Sequence, residues 1–471
     1  MRDSSRSVSF WQQAVDLLSD ICGSTHVLTD TDILYTYGQD ETLGLHFGFD
    51  ILVKPGNAEE VSSIVKICNE LRIPITPRGG GSGVTGGALP IKGGVVVSLE
   101  RLNRIIHIDE LSSYVIAESG VVTAALCERV EQQGLYFPVQ PSSKAYSFIG
   151  GNVAENAGSI HSCRYGTTAQ YVLNLEVVLP TGAIIWTGAN VPKNATGLNL
   201  TQLFVGSEGV LGIITKVVYR LIRRPAHEVT LLAGFTTIED ACKAVLAIRQ
   251  SGFTPAAVEM VGPEALRITA AYLSGPLPLV KQGIEAHLLV GLQEDTENAL
   301  LHAMETVGGV LEKYAAEPIL VGTTTLEKER LWKLRFSIGA ALSSGGRTYR
   351  DIDISIPLSL LYPYLAKVEE ITARYQLAVA YFGHALDGNL HTMVMLDQDL
   401  DTEAGANAAQ AVNSIYAYAI ANGGAISGEH GIGMLQKEFM KNQFSADHLA
   451  LAKSIKHVLD PNDILNPGKI F

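Results

Sequence analysis

Two histidines and a nearby acid carry the clearest chemical signal in this 471-residue chain. In AYFGHALDGNLHTMVML, residues 380–396, Asp387-Gly388 is a two-residue hairpin signal between apolar, strand-like runs. A two-residue turn there pairs 386 with 389 and 385 with 390. His384 then faces His391 on one side of the hairpin, with Cβ atoms about 5 Å apart. That separation suits one metal ion; it also suits two hydrogen-bonded histidines in an ordinary strand pair, and the residues alone leave both readings open. ISGEHGIG, 426–433, adds Glu429-His430 between glycines, where the backbone can bend tightly. A capping acid in a loop is the plain alternative for Glu429. With His384 and His391 it completes a 2-His-1-carboxylate set, suited to Zn, Fe(II) or Mn with open coordination positions.

A second chemistry is written in glycine. PRGGGSGVTGGALP, 77–90, contains GSGVTG, a literal G-x-G-x-x-G. A dinucleotide turn of that type needs a strand before it and a helix opening within it. The strand is there in Ile73 to Thr76, but Pro90 and Gly93-Gly94 stop any helix, and VVVSL reads as another strand. A slack linker does not fit between two core strands. What remains is a loop whose backbone N–H groups form an anion-binding concavity, with Arg78 at its edge and a pyrophosphate as its natural guest. QPSSKAYSFIGGNVAENAGSIHSCRYG, 140–166, is a second small, polar, glycine-rich stretch. Its backbone groups need partners, and an irregular loop of that length is usually functional. Two such segments in one domain point to a large phosphate-bearing cofactor.

These residues require elements to hold them. Residues 1–46 read as an amphipathic helix and a polar loop. From 47 to 225, strands and helices alternate, with a helix at AEEVSSIVKICNELR capped by Asn57, an irregular region over 138–170, and a hairpin across Pro180-Thr181-Gly182. A charged run and Pro225 mark a boundary. From 226 to 425 the pattern is α+β, and 426–471 is mostly helical. Hydrophobic residues make up 47%, enough for a large core. The net charge of −13 argues against nucleic acid and anionic membrane as partners. No apolar run reaches the roughly 18 residues of a spanning helix, and MRDSSRSVSFWQQAVDLL has no secretory h-region. The five scattered cysteines offer no Fe–S or Cys–zinc spacing; they read as packing residues, reduced in a cytoplasm.

The ordered set PRGGGSGVTGGA, QPSS, IGGNVAENAGS, RYGTTAQYVLNLEVVLPTG and GSEGVLGIIT resembles the FAD-binding domain of the vanillyl-alcohol oxidase superfamily, the PCMH type. From about residue 47 to 471 the chain resembles its glycolate, D-lactate and D-2-hydroxyglutarate dehydrogenase branch. The fold class implied is α+β: a two-subdomain FAD-binding domain over 47–225, an α+β substrate (cap) domain with the histidine hairpin over 226–425, and a helical C-terminal segment, 426–471, returning to the flavin. The resemblance implies FAD, with its pyrophosphate on Arg78, Gly79, Gly80, Gly81, Ser82 and Gly83. Pro141, Ser142, Ser143, Ser147, Gly151, Asn152, Gly209 and Ile214 would surround the flavin and ribityl chain. The 78–87 loop has no His or Cys tether, so FAD is expected to be non-covalent; His161 and Cys163 lie elsewhere. G-H-x-x-D-G-N-L-H followed by E-H-G matches the family's divalent-metal motif, with His384, His391 and Glu429 as ligands.

The activity implied is FAD-dependent oxidation of a D-2-hydroxy acid, of D-lactate or glycolate type, to the 2-oxo acid by hydride transfer. His430 is the candidate base for the hydroxyl proton, since its ordinary pKa lies near working pH. Arg335, in RLWKLRFSIGAAL, matches the family's carboxylate-binding arginine. Relatives acting on 2-hydroxyglutarate show Thr four residues and Lys fifteen residues after it, where this chain has Gly339 and Arg350. Arg350 keeps a positive charge, so D-2-hydroxyglutarate or D-malate stays an alternative. An oxidase using O₂ and an FAD-binding electron-transfer subunit are further readings. Reduced flavin would pass electrons to an Fe–S subunit, an electron-transferring flavoprotein or a quinone. A homodimer is compatible with the sequence, which does not fix the oligomeric state.

Overall fold

The computed structural model describes residues 6–344, 348–396 and 403–471. They divide into two compact units. The first takes the chain through Gly158, then Thr167–Arg224 and Glu429–Phe471. The second takes Ser159–Gly166 and Pro225–Gly428.

The first unit holds two main sheets. In the smaller, strands run in the order Val27–Leu28, Ile51–Val53, Val95–Ser98, Ile75–Arg78, and the last three are parallel. Ala58–Leu71 forms a helix because Asn57 accepts from the Glu60 amide and Val61, Ile64, Val65 and Cys68 line one face. That face joins Ala14 and Leu18 of helix Val8–Cys22 in one apolar cluster with the sheet. The glycine loop lies between the parallel strands Ile75–Arg78 and Val95–Ser98, and residues 79–94 form bends and turns. No helix opens there, as the Pro and Gly content requires. The larger sheet is antiparallel, in the order Ile105–Asp109, Tyr114–Glu118, Ile213–Arg220, Val172–Val178, Ile184–Trp186. Its last pair is the hairpin expected across Pro180-Thr181-Gly182, with Gly182 at φ +79.

Residues before 47 contribute the strand Val27–Leu28, which pairs with Leu52–Val53. The C-terminal segment packs in the same unit, and Asn466 N–H bonds to the Ile75 carbonyl. One expectation is corrected: the region 138–170 is not wholly irregular, since Ile149–Glu155 in the first unit and Ser162–Tyr165 in the second are short helices. Gly150 and Gly151 hide the first by their low helix propensity. Tertiary contact overrides it, because a Cβ at Gly150 would lie 2.5 Å from Ser119 Cβ.

The second unit is built on one seven-stranded antiparallel sheet, ordered Leu320–Gly322, His227–Phe235, Ala286–Glu294, Ala257–Val261, Val379–His384, Asn389–Leu396, Thr348–Ser355. Helices Pro263–Leu273 and Thr325–Ser343 cover one face, packing Ala265, Leu266, Leu334 and Ile338 on Val261, Phe382 and Met393. Alternate residues Leu231, Ala233, Val290, Ile352 and Ile354 are buried as well, so both faces are covered.

The histidine hairpin differs from the expected register. His384 pairs with Asn389 and Phe382 with His391, across a four-residue loop. Ala385 N–H bonds to the Val258 carbonyl, and the Gly388 carbonyl accepts from Ile356 N–H, so the loop is opened by its neighbours. The slip is two residues. An even slip preserves the face each side chain occupies, and His384 and His391 remain on one side as diagonal neighbours.

Candidate functional site

In the first unit the two glycine-rich stretches come together. A Cβ on Gly79 would lie 3.7 Å from Gly151 Cα, and one on Gly80 would lie 2.2 Å from the Tyr146 carbonyl oxygen. At Gly80 only glycine allows this approach. At Gly83 and Gly151 a Cβ would meet nothing within 4 Å, so the joined loops leave open space lined by backbone. Arg78 is buried beside it, its guanidinium 5.5 Å from the Tyr37 ring centroid and its Nη1 donating to the Tyr37 carbonyl at 3.4 Å. Burial lowers its pKa, partly offset by Asp40; an anionic guest would supply the missing countercharge. Gly209, at φ +71, packs against Pro77 below the loop, and Ile214 is buried in the large sheet. Pro141, Ser142 and Ser143 open a turn that returns to Ser147 through Ser147 N–H to the Ser143 carbonyl, 2.8 Å. Ser147 and Asn152 are both tied to Thr123 Oγ1, at 2.9 and 2.8 Å, so Thr123 orders this wall. This cradle fits a dinucleotide pyrophosphate.

The same unit carries Glu429 and His430. Thr85, inside the glycine loop, donates Oγ1–H to the His430 carbonyl at 3.2 Å. The Glu208 carboxylate accepts from Ile432 and Gly433 N–H, each at 2.7 Å. Gly431 and Gly433 have φ of +78 and +51, the bend expected of EHGIG. Behind the loop, Lys469 donates to the carbonyls of Gly86 and Leu89, both at 2.6 Å, and Asn466 to those of Gly87 and Glu208. Burial raises the Glu208 carboxyl to about 7, and burial together with the Glu208 charge raises Glu155 well above the usual range. Burial lowers Lys469 to about 8.

In the second unit His384 and His391 face each other, ring centroids 5.7 Å apart at 78°. Each is opposed by a wholly buried carboxylate from the strand beside it. Glu259 pairs with His384 in the sheet register, and its Oε1 lies 2.5 Å from His384 Nδ1. Asp353 pairs with His391, Oδ1 to Nδ1 3.8 Å. Asp353 also accepts from Asn389 Nδ2 at 2.7 Å, Ser427 Oγ at 3.0 Å and Gly428 N–H at 2.9 Å. Glu259 has a second partner: Arg335 Nε donates to its Oε2 at 2.7 Å, with the guanidinium 4.9 Å from the Phe382 centroid. Burial alone would raise the Glu259 carboxyl; the charges of His384 and Arg335 and their hydrogen bonds overcome this and hold it at about 2. An outer carboxylate hydrogen-bonded to one imidazole, with a second carboxylate 3.8 Å from the other, is an arrangement compatible with a divalent metal.

The structure thus brings Arg335, His384 and His391 to one face of one sheet. It does not bring Arg350 there. Arg350 pairs with Val394 and, by strand alternation, shares the face of Ile352 and Ile354, opposite to Asp353 and His391; it is exposed. His161 Nδ1 and Cys163 Sγ both reach the 255–256 backbone, at 3.2 Å from the Ala256 and 3.4 Å from the Pro255 carbonyl. The other four cysteines are buried, with thiols raised to about 12 chiefly by burial, as packing residues should be. Sequence reasoning missed Glu259, Asp353, Thr123, Glu155, Glu208 and Lys469. For Glu259 and Asp353 a signal existed: an acid inside the apolar strands AAVEMV and DIDIS is rarely buried without a partner.

Comparison with known proteins gives the family and the fold. Residues 49–188 match the family described as FAD binding domain, and residues 224–470 match FAD linked oxidases, C-terminal domain. The chain is 35% identical over 435 residues to the glycolate oxidase subunit GlcD of Bacillus subtilis (strain 168), covering 92% of each. It is 35% identical over 424 residues to a D-lactate dehydrogenase of Anaerostipes hadrus, covering 89% of each. Its fold matches that of p-cresol methylhydroxylase with a TM-score of 0.80 at 21% identity, over 98% of this chain and 97% of the other. The expected α+β architecture of PCMH type is therefore present.

Proposed function

The chain belongs to the FAD-linked oxidases and is an oxidoreductase acting on a hydroxy acid; from that premise we propose that it oxidises a D-2-hydroxy acid of D-lactate or glycolate type to the 2-oxo acid. The observation that supports this most directly is the sharing of Glu259 by Arg335 and His384, next to His391. It sets a cation for a carboxylate beside a place for a Lewis acid, the two groups that a 2-hydroxy acid needs on adjacent carbons.

Arg78 to Gly83 and the Pro141–Asn152 wall would hold FAD, which would supply the two-electron acceptor for the α-hydrogen. His384, His391 and Glu429 would hold a divalent metal, which would supply charge that favours ionisation of the substrate hydroxyl. Glu429 follows Gly428 directly, and Asp353 fixes the Gly428 amide beside the strand of His391, which supports its assignment as third ligand. Arg335 grips the substrate carboxylate through its Nη atoms, since its Nε is occupied by Glu259. A ring nitrogen of His430 receives the hydroxyl proton. The exposed Arg350, on the far face of its strand, gives no support to a dicarboxylic substrate. Electrons leave to a separate acceptor, an Fe–S subunit, an electron-transferring flavoprotein or a quinone, because five scattered cysteines offer no cluster of their own.

The test is anaerobic bleaching of the flavin by a panel of 2-hydroxy acids of both hands. D-Lactate or glycolate should bleach it, and D-malate should not. A variant carrying His384→Ala and His391→Ala should keep its FAD and lose the bleaching. Bleaching by that variant after metal stripping, at the wild-type rate, would sink the metal assignment.

A further inference from the structure

Glu259 is 0% exposed, lies in the middle of an apolar strand, and spends each oxygen on a different partner. A buried carboxylate needs its charge paired and its remaining lone pairs hydrogen-bonded, so what matters is which side chains do this. Here Oε1 takes the imidazole of His384 and Oε2 the guanidinium of Arg335, and those two side chains come from different elements, strand Val379–His384 and helix Thr325–Ser343. The contact at Nδ1 assigns that nitrogen as the donor and Nε2 as the nitrogen for ligation. The contact at Arg335 Nε leaves the guanidinium edge formed by Nη1 and Nη2 for a bidentate carboxylate, while the guanidinium carbon lies 4.9 Å from the Phe382 ring centroid.

We propose that Glu259 is a positioning residue that couples the two halves of the site: one oxygen sets the metal-ligating imidazole of His384, the other the substrate-gripping guanidinium of Arg335. The inference rests on the reading of the site given above. It adds that metal affinity and substrate affinity depend on one side chain that touches neither metal nor substrate.

The experiment uses the full-length FAD-loaded protein and its Glu259→Gln variant, equal in size and without charge. Mn²⁺ binding is followed by electron paramagnetic resonance, and KM and kcat for D-lactate are measured at saturating Mn²⁺. Loss of an outer partner of a metal-ligating histidine lowers metal affinity roughly 10- to 100-fold. We expect a fall of that size, together with a rise of about tenfold or more in KM, a smaller change in kcat, and full FAD content. Glu259→Asp, which keeps the charge but shortens the reach, should lie between; it carries the test if the glutamine variant fails to retain FAD. Wild-type Mn²⁺ affinity in Glu259→Gln overturns the proposal whatever the substrate, and so does a change in metal affinity with unchanged KM. The control is His384→Ala. If it binds Mn²⁺ like the wild type, the metal reading itself falls; if it loses Mn²⁺ while Glu259→Gln does not, only the positioning role of Glu259 falls.

Discussion

Arg335 and Lys would be equivalent at this position if only charge mattered. The guanidinium is 4.9 Å from the Phe382 centroid and already spends Nε on Glu259, so its geometry is fixed before any substrate arrives. Lysine keeps the charge and can still neutralise Glu259, yet it cannot hold Glu259 and grip a carboxylate with two parallel N–H groups. Arg335→Lys should therefore raise KM by roughly ten- to hundredfold, the equivalent of about 1.5–3 kcal/mol for a hydrogen bond to a charged group, while kcat falls less. Steady-state kinetics with the best acid of the panel would check it, and an unchanged KM would place the carboxylate elsewhere. The histidines were legible in the sequence because a turn signal stood between them. Glu259 stood out only as an acid in an apolar strand; its partners were not legible, since they lie 76 and 125 residues away and the fold alone joins them.

At the scale of elements, the hairpin and the glycine loop show two kinds of legibility. The hairpin's existence and the shared face of its histidines follow from local pattern; its register does not, because Val258 and Ile356 bond to the loop from outside. The glycine loop's lack of a helix follows from Pro90 and Gly93-Gly94, while its partner, the Tyr146–Gly151 stretch, is set by tertiary contact. This separates two glycines that look alike in sequence. Gly80→Ala drives a Cβ into the Tyr146 carbonyl, so it should push the two loops apart, lower the melting temperature and lose FAD, at a cost on the order of 1–3 kcal/mol for overpacking. Gly83→Ala meets only open space, so it should leave the melting temperature of the FAD-free protein unchanged and weaken FAD binding alone. Flavin-to-protein ratio and thermal melts of both variants distinguish the cases; equal loss of stability in both would contradict the placement of the cradle.

At the scale of the whole molecule, the first unit stores an acid pair behind its cofactor loop. Burial, then the Glu208 charge, holds the Glu155 carboxyl well above its ordinary value of 4.5. A raised carboxyl pKa contributes stability that is present below 4.5 and is lost as pH rises through the raised value. Glutamine mimics the protonated acid and has nothing to lose. Glu155→Gln should therefore melt like the wild type at pH near 4.5 and above it as pH increases toward neutrality and beyond. Scanning calorimetry at both ends decides; a difference independent of pH would mean that Glu155 is not held neutral.

What the sequence by itself determined is local or ordered along the chain: the glycine loop that cannot start a helix, the histidines brought to one face by a turn, the bend at Glu429-His430, and the run of motifs that named the cofactor. Each follows from backbone freedom, side-chain period or spacing within a few residues. The tertiary structure alone decided which carboxylates complete the site, that Arg335 shares one of them with His384, that Arg350 points away, and that a lysine near the C-terminus clamps the glycine loop. These depend on strand order and on burial. A charge removed from water must find its partner wherever the fold brings one, and that distance in space has no fixed spacing in sequence.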